Sequence, residues 1–350
     1  MSTSELLLER FRTVDDPAFD EDVVSLGLVA DVAVRDGVAA VSLAFNAPLS
    51  PAEVEMCDEI RACCRGVGLE PILFAADDRR SPAFSTVKNA VAVGSIDGSV
   101  DPSFVGAALL EGFGGIGAAV GALIVEASAG RGTWLESVDP IVLGGEPAAP
   151  QRRFDVPAAR LDVHLPDGDP PPAVDDVFRA LLAYARDGVE WGPLDYLVVV
   201  LPPGDSATDA TLEELPVDGL VLASRASTPG RAIDREIRAR LRRGDPLLGV
   251  VETGNGVRRP NCGEVGGRRA PPEALDDVPI LASLPVDDWL AGDGEPSAFD
   301  PTDRPGERLR ALARSVADRL GAKHRASVAE LDGDRSVPFE PPDSSAASPR

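Results

Sequence analysis

Lysine is almost missing from this chain. Of its 34 cationic side chains only Lys88 and Lys323 are lysines, and the rest are arginines. Lys88 falls at the start of an apolar run and Lys323 near the end, so no strand-to-helix turn holds one. Histidine is as scarce: His164 and His324 stand apart, and no nucleophile, imidazole and acid can be grouped into a catalytic set. The four cysteines are Cys57, Cys63, Cys64 and Cys262. The vicinal pair lies in a predicted helix and is poorly placed to bridge, so there is no secreted disulfide framework. No stretch reaches the roughly 18 apolar residues of a membrane helix. Residues 1–12 carry Glu5 and Glu9 and lack a basic segment before an apolar core, so they do not read as a signal peptide. The expected compartment is the cytoplasm.

Acid is abundant instead. The formal charge is −24. Such a surface repels nucleic acid and anionic lipid at long range, so neither is an expected partner. Asp and Glu run through the whole length, the pattern of a salt-adapted (halophilic) cytoplasm, and no pair of carboxylates stands out for acid–base chemistry.

The apolar pattern predicts a small α+β unit over residues 1–76: helices at 4–13, 20–26 and 50–65, and strands at 28–34, 38–45 and 69–75. Asp36–Gly37 reads as a two-residue hairpin turn. Residues 77–86 read as a linker. From 87 to 325, continuous apolar strands alternate with helices, the signature of a mostly parallel sheet covered on both faces. Residues 326–350, rich in Ser, Pro and Asp, read as a disordered acidic tail.

Four segments bear on chemistry. After the strand ending at Ser95, the turn Ile96-Asp97-Gly98-Ser99-Val100-Asp101-Pro102-Ser103 leads into a helix, which is the context of a phosphate loop. It has aspartates where such a loop needs a cation. Two unit charges about 4 Å apart interact by about 4 kcal/mol at an effective dielectric near 20, so the exchange reverses the sign of the main contribution. Gly112, Gly114 and Gly117 spell G-x-G-x-x-G, but between a helix and a strand rather than after a strand, so they read as a helix end. The run Trp191 to Gly204 is a buried strand closed by Pro-Pro-Gly at the sheet's carboxyl edge, where open α/β sheets bind ligands. Cys262 lies in a Gly-rich basic loop, Arg259-Pro260-Asn261-Cys262-Gly263.

From Val14 to Pro285, these segments in this order resemble the Mrp/ApbC-type iron–sulfur carrier proteins, P-loop ATPases of the MinD/ParA branch. Residues 14–30 are similar to their SufT-like metal–sulfur assembly domain, and Val87 to Val93 to the strand before their Walker A loop. Trp191 to Gly204 resembles their second switch, the stretch around Pro260, Cys262 and Gly263 their Cys-Pro-x-Cys loop, and Val278 to Pro285 their last core strand. The resemblance implies an α/β, P-loop NTPase-like domain over 87–325, often homodimeric, that hands a [4Fe–4S] cluster to client apo-proteins. It also marks departures. Against the family pattern Gly-Lys-Gly-Gly-Val-Gly-Lys-Ser-Thr, Asp97 stands at the first lysine, Ser99 and Asp101 at glycines, Pro102 at the phosphate-binding lysine and Phe104 at the threonine. Val200 replaces the switch carboxylate, the region around Glu126 offers at best one carboxylate, and Arg259 takes the place of the first cysteine. Gly98, Ser99, Val100 and Ser103 are thus read as a vestigial nucleotide loop, without ATP or Mg²⁺. Two chains offering Cys262 leave a cluster that wants about four thiolates under-liganded. The expected role is a non-catalytic scaffold, regulator or heterodimer partner of an intact Mrp-type protein in iron–sulfur assembly. The alternatives are a carrier with an unconventional labile site and a MinD/ParA-like positioning protein.

Overall fold

A computed structural model describes residues 2–76, 80–96, 98, 100–126, 135, 138–141, 149–153, 155–162, 172–202, 205–258, 265–266, 278–286 and 304–333. The chain divides into two compact units: a small one from residues 1–45, 52–78 and 321–350, and a large one from 46–51 and 79–320.

The small unit begins with α1 (Thr3–Phe11), whose first turn is closed by a reciprocal capping box between Ser2 and Glu5. Two short strands come next, β1 (Asp15–Asp16) and β2 (Glu21–Asp22), paired antiparallel. The helix expected over 20–26 is absent. Asp22 accepts from the backbone N–H groups of Val24 and Ser25 and from the Ser25 hydroxyl, and Asp20 is left-handed (φ 54°). Short carboxylates that bond to nearby backbone in this way compete with helical hydrogen bonds, and here they win. Then come β3 (Val29–Arg35), β4 (Val38–Leu43), α2 (Pro51–Arg65) and β5 (Glu70–Ala75). β3 and β4 form the hairpin over Asp36–Gly37, both left-handed, and β5 joins β4 in parallel. Leu7, Phe11, Val41, Met56, Ile60 and Cys64 make the core between the sheet and helices.

The large unit is a nine-stranded sheet. Its elements in chain order are β6 (Val87–Ser95), α3 (Pro102–Gly115), β7 (Val120–Glu126), β8 (Gln151–Arg153), β9 (Val156–Asp162), α4 (Pro172–Asp187), β10 (Leu194–Val200), α5 (Asp205–Glu214), β11 (Gly219–Arg225), α6 (Gly230–Arg243), β12 (Leu247–Arg258), β13 (Val265–Gly266), β14 (Ile280–Val286) and α7 (Arg304–Gly333). The strand order is β13-β12-β11-β6-β10-β7-β9-β8, with β14 also on β12. All pairs are parallel except the edge pairs β12–β13 and β8–β9. One face carries α3 and the first part of α7, the other α4, α5 and α6, so the strands read apolar on both sides.

Three boundaries differ from expectation. Residues 46–51 lie in the large unit, where Asn89 donates to the Asn46 carbonyl (2.8 Å), Tyr196 to the Pro48 carbonyl (2.6 Å) and Ser50 to Asp318. Residues 80–86 are packed rather than linking: Phe84 is buried and meets Trp191 edge-on at 6.3 Å. α7 continues to Gly333, so 326–333 are helical, and from Gly321 onward this helix belongs to the small unit. There Arg325, fully buried, binds Asp16 in bidentate fashion and Glu53 at 3.0 Å. A polar tail composition hid this helix, because its apolar positions Val328 and Ala329 are few.

Candidate functional site

β6 is the switch point of the large sheet. The chain leaves it through α3 to β7 on one side, returns as β10 between the two, and then adds β11 on the other side. The carboxyl end of β6 therefore opens between two neighbours, the place where open α/β sheets hold ligands. Ile96 extends the ladder by one bond, donating to the Ala223 carbonyl at 3.0 Å. Gly98 then takes φ +67°, and a Cβ there would meet nothing within 4 Å, so the glycine serves the turn and not a close approach.

The start of α3 decides the chemistry. Asp101 is the N-cap of this helix, and its carboxylate accepts from the Ser103 N–H at 2.9 Å. Pro102 occupies the first helical position and has no N–H to offer. A helix N-terminus binds phosphate through free N–H groups and a favourable dipole. Here the chain's own anion takes that role. Ser103 is buried, and Val100 packs into the core with Val105 and Val200. Of the four loop residues picked out in sequence, Gly98 is thus a turn glycine, Val100 and Ser103 face the interior, and Ser99 lies outside the described residues. The Ser95 hydroxyl is buried with no hydrogen-bond partner.

The surrounding strand ends are consistent with this. Val200 is buried at the end of β10, and a Cβ on Gly106 would come within 2.7 Å of its Cγ2, so α3 rests directly on it. Thr208 donates to the Pro202 carbonyl at 2.9 Å, while Pro203 and Gly204 lie outside the described residues. Glu126 ends β7. Arg225 ends β11, exposed, two residues beyond the Ala223–Ser95 pairing. Arg231 stands on the first turn of α6, also exposed.

Metal chemistry finds no support among the described residues, where no cluster of His, Cys, Asp or Glu could hold an ion. Cys262, Arg259, Pro260 and Gly263 lie outside them. The other thiols sit on α2. Burial pushes Cys57 up to about 11 and raises Cys64, so both stay protonated and are poor nucleophiles or ligands. Among the described residues, no helix is long and apolar enough to cross a membrane.

Sequence reasoning missed Glu111. It is buried in α3, with one carboxylate oxygen lacking any partner, and desolvation raises it to about 8. The signal was available: it is the one ionisable residue in Pro102–Gly115. Also missed was the arginine core of the α5–α6 contact. Buried Arg240 binds Glu236 and Asp209 at 2.7 Å each, and Arg243 adds a second bond to Asp209 at 2.9 Å.

Residues 5–67 match the family model described as iron-sulfur cluster assembly protein. The iron-sulfur cluster carrier protein of Deinococcus radiodurans is 28% identical, over 93% of this chain and 98% of that one. The protein of the same name from Synechocystis sp. is 26% identical, over 91% of this chain and 98% of its own length. The cell division ATPase MinD of Pyrococcus furiosus superposes with a TM-score of 0.42 at 17% identity, over 65% of this chain and 98% of that one. With its front segment matched to an assembly-protein family model and nearly its whole length aligned to two iron-sulfur cluster carrier proteins, the chain is similar to the Mrp/ApbC-type iron–sulfur carrier proteins.

Proposed function

We propose that this protein serves iron–sulfur cluster assembly without binding or hydrolysing ATP, as a scaffold or a subunit paired with an intact Mrp-type carrier. The role in assembly is supported by the two full-length relatives and by the match over residues 5–67. The loss of catalysis rests on one observation: the Asp101 carboxylate occupies the α3 N-terminus and Pro102 removes a donor from it. A triphosphate brought there meets fixed negative charge in place of a lysine, and displacing Asp101 costs a helix cap worth about 1 kcal/mol before any phosphate contact forms. An intact carrier subunit supplies the lysines and thiols that this chain lacks.

Titration calorimetry with Mg-ATP and Mg-ADP tests the reading. No heat of binding is expected at millimolar nucleotide. Saturable binding at stoichiometric amounts overturns it. The paired role is read separately, by size-exclusion chromatography of this chain mixed with an intact carrier from the same cells: a complex is expected, and two unshifted peaks reject the paired role.

A further inference from the structure

The three-stranded sheet of the small unit buries only one of its faces. On the other, the pairing register sets out three rows across β3, β4 and β5: Asp31, Ser42 and Phe74; Ala33, Ala40 and Ile72; Arg35, Val38 and Glu70. Ile72 and Phe74 are 54% and 51% exposed, unusual for large apolar residues on adjacent positions of one face. The β3 and β4 columns beside them are small, with Ala33, Ala40 and Ser42. Arg35 and Glu70 stand at opposite ends of one row, and neither has an ion-pair partner among the described residues.

We propose that this face is an interface between two copies of the chain. A two-fold axis running along the strands lays β5 of one copy over β3 of the other and keeps the rows in register. Ile72 of each copy then rests on the floor made by Ala33 and Ala40 of its mate, and Arg35 meets Glu70 across the interface in two symmetry-related pairs. Ile72 thus sits opposite small side chains, the condition for two sheets packing about 10 Å apart, while in the outer row Phe74 of each copy lies over Asp31 of its mate. An axis across the strands also pairs charges, Asp31 with Arg35. It stacks Ile72 on Ile72 and leaves Ala33 on Ala33, so its central row packs worse. The central row is self-complementary in shape and the Arg35–Glu70 row in sign, as an isologous contact requires. It is small, so the association is weak and concentration-dependent.

Sedimentation equilibrium tests this on the full chain, with salt at or above about 0.15 M so that charge beyond about 8 Å is screened. A monomer–dimer equilibrium is expected. Ile72→Asp weakens it by about tenfold or more, the effect of placing a charge opposite the alanines. Arg35→Glu and Glu70→Arg each weaken it several-fold, and the two reversals together restore it. Cys64, buried in the same unit, stays unreactive to thiol reagent in every variant that keeps its fold. A monomer at all concentrations overturns the proposal. So does a dimer indifferent to Ile72→Asp, or a double reversal that restores nothing.

Discussion

Asp16 in the small unit and Glu111 in the large unit are both within 2% of complete burial, and the two units handle them in opposite ways. Asp16 is paired: Arg325 supplies a bidentate partner, and Glu53 shares that cation. Glu111 has no such partner and keeps its proton instead, with its pKa raised to about 8. The cost is the same, removal of a carboxyl group from water, but one unit meets it with a second chain segment and the other with a change of protonation state. Removing a side chain therefore has opposite signs at the two places. At the paired site it strands charges; at the lone site it relieves the fold.

The largest expected effect breaks the pair. Arg325→Leu leaves Asp16 and Glu53 buried without a cation and costs about 3–5 kcal/mol. It is read as a fall in the denaturant midpoint together with new thiol-reagent reactivity at Cys64, which the native small unit conceals. Unchanged Cys64 protection argues against the clamp. Replacing Asp16, Glu53 and Arg325 together by apolar residues is expected to recover much of the loss, because the buried charges go with their partner.

The next effect sharpens the lone site. Glu111 has a folded pKa above its ordinary value of 4.5, so the folded state holds a proton that the unfolded state has released. Stability therefore falls as the pH rises from about 4.5 to about 8, and levels off above. Glu111→Gln removes this slope. It gains on the order of 2–4 kcal/mol at pH 8 and little below pH 4.5, measured as urea midpoints across pH. Parallel pH profiles for the two proteins contradict the assignment. Smaller again is Gly112→Ala on the same helix. A Cβ there runs into the Leu309 carbonyl of α7, at a cost of about 1–3 kcal/mol seen in the melting temperature. Smallest is Asp101→Ala, about 1 kcal/mol for the lost cap, with Asp101→Asn nearly neutral because the amide oxygen still accepts from Ser103.

The large sheet was legible because its strands are continuous apolar runs. Val87–Ser95, Leu194–Val200 and Gly219–Arg225 declare themselves, buried on both faces. The short edge pair β8–β9 and the helix α5 were not, since Arg152, Arg153, Asp205 and Glu213 break the apolar pattern. At the site, the absence of a lysine and the presence of Pro102 were readable one residue at a time. The use of Asp101 was not. Composition gives an acidic residue near a helix start, while its role as an internal stand-in for an anion depends on a side-chain torsion and a 2.9 Å contact. Arg325 was hidden for a different reason. Its partners lie more than 270 positions away, and a pairing at that distance leaves no local periodicity to detect.

The same separation has a bearing on how the molecule is made. Asp16 and Glu53 leave the ribosome long before their counter-ion does. Until translation passes Arg325, the amino-terminal unit carries two acids without the cation that pairs with them. The sheet of the second unit, by contrast, holds its full set of strands once residue 286 has emerged. The portion synthesised first therefore waits on the helix made last, which also completes the core of the second unit with Leu309, Leu312, Val316 and Leu320.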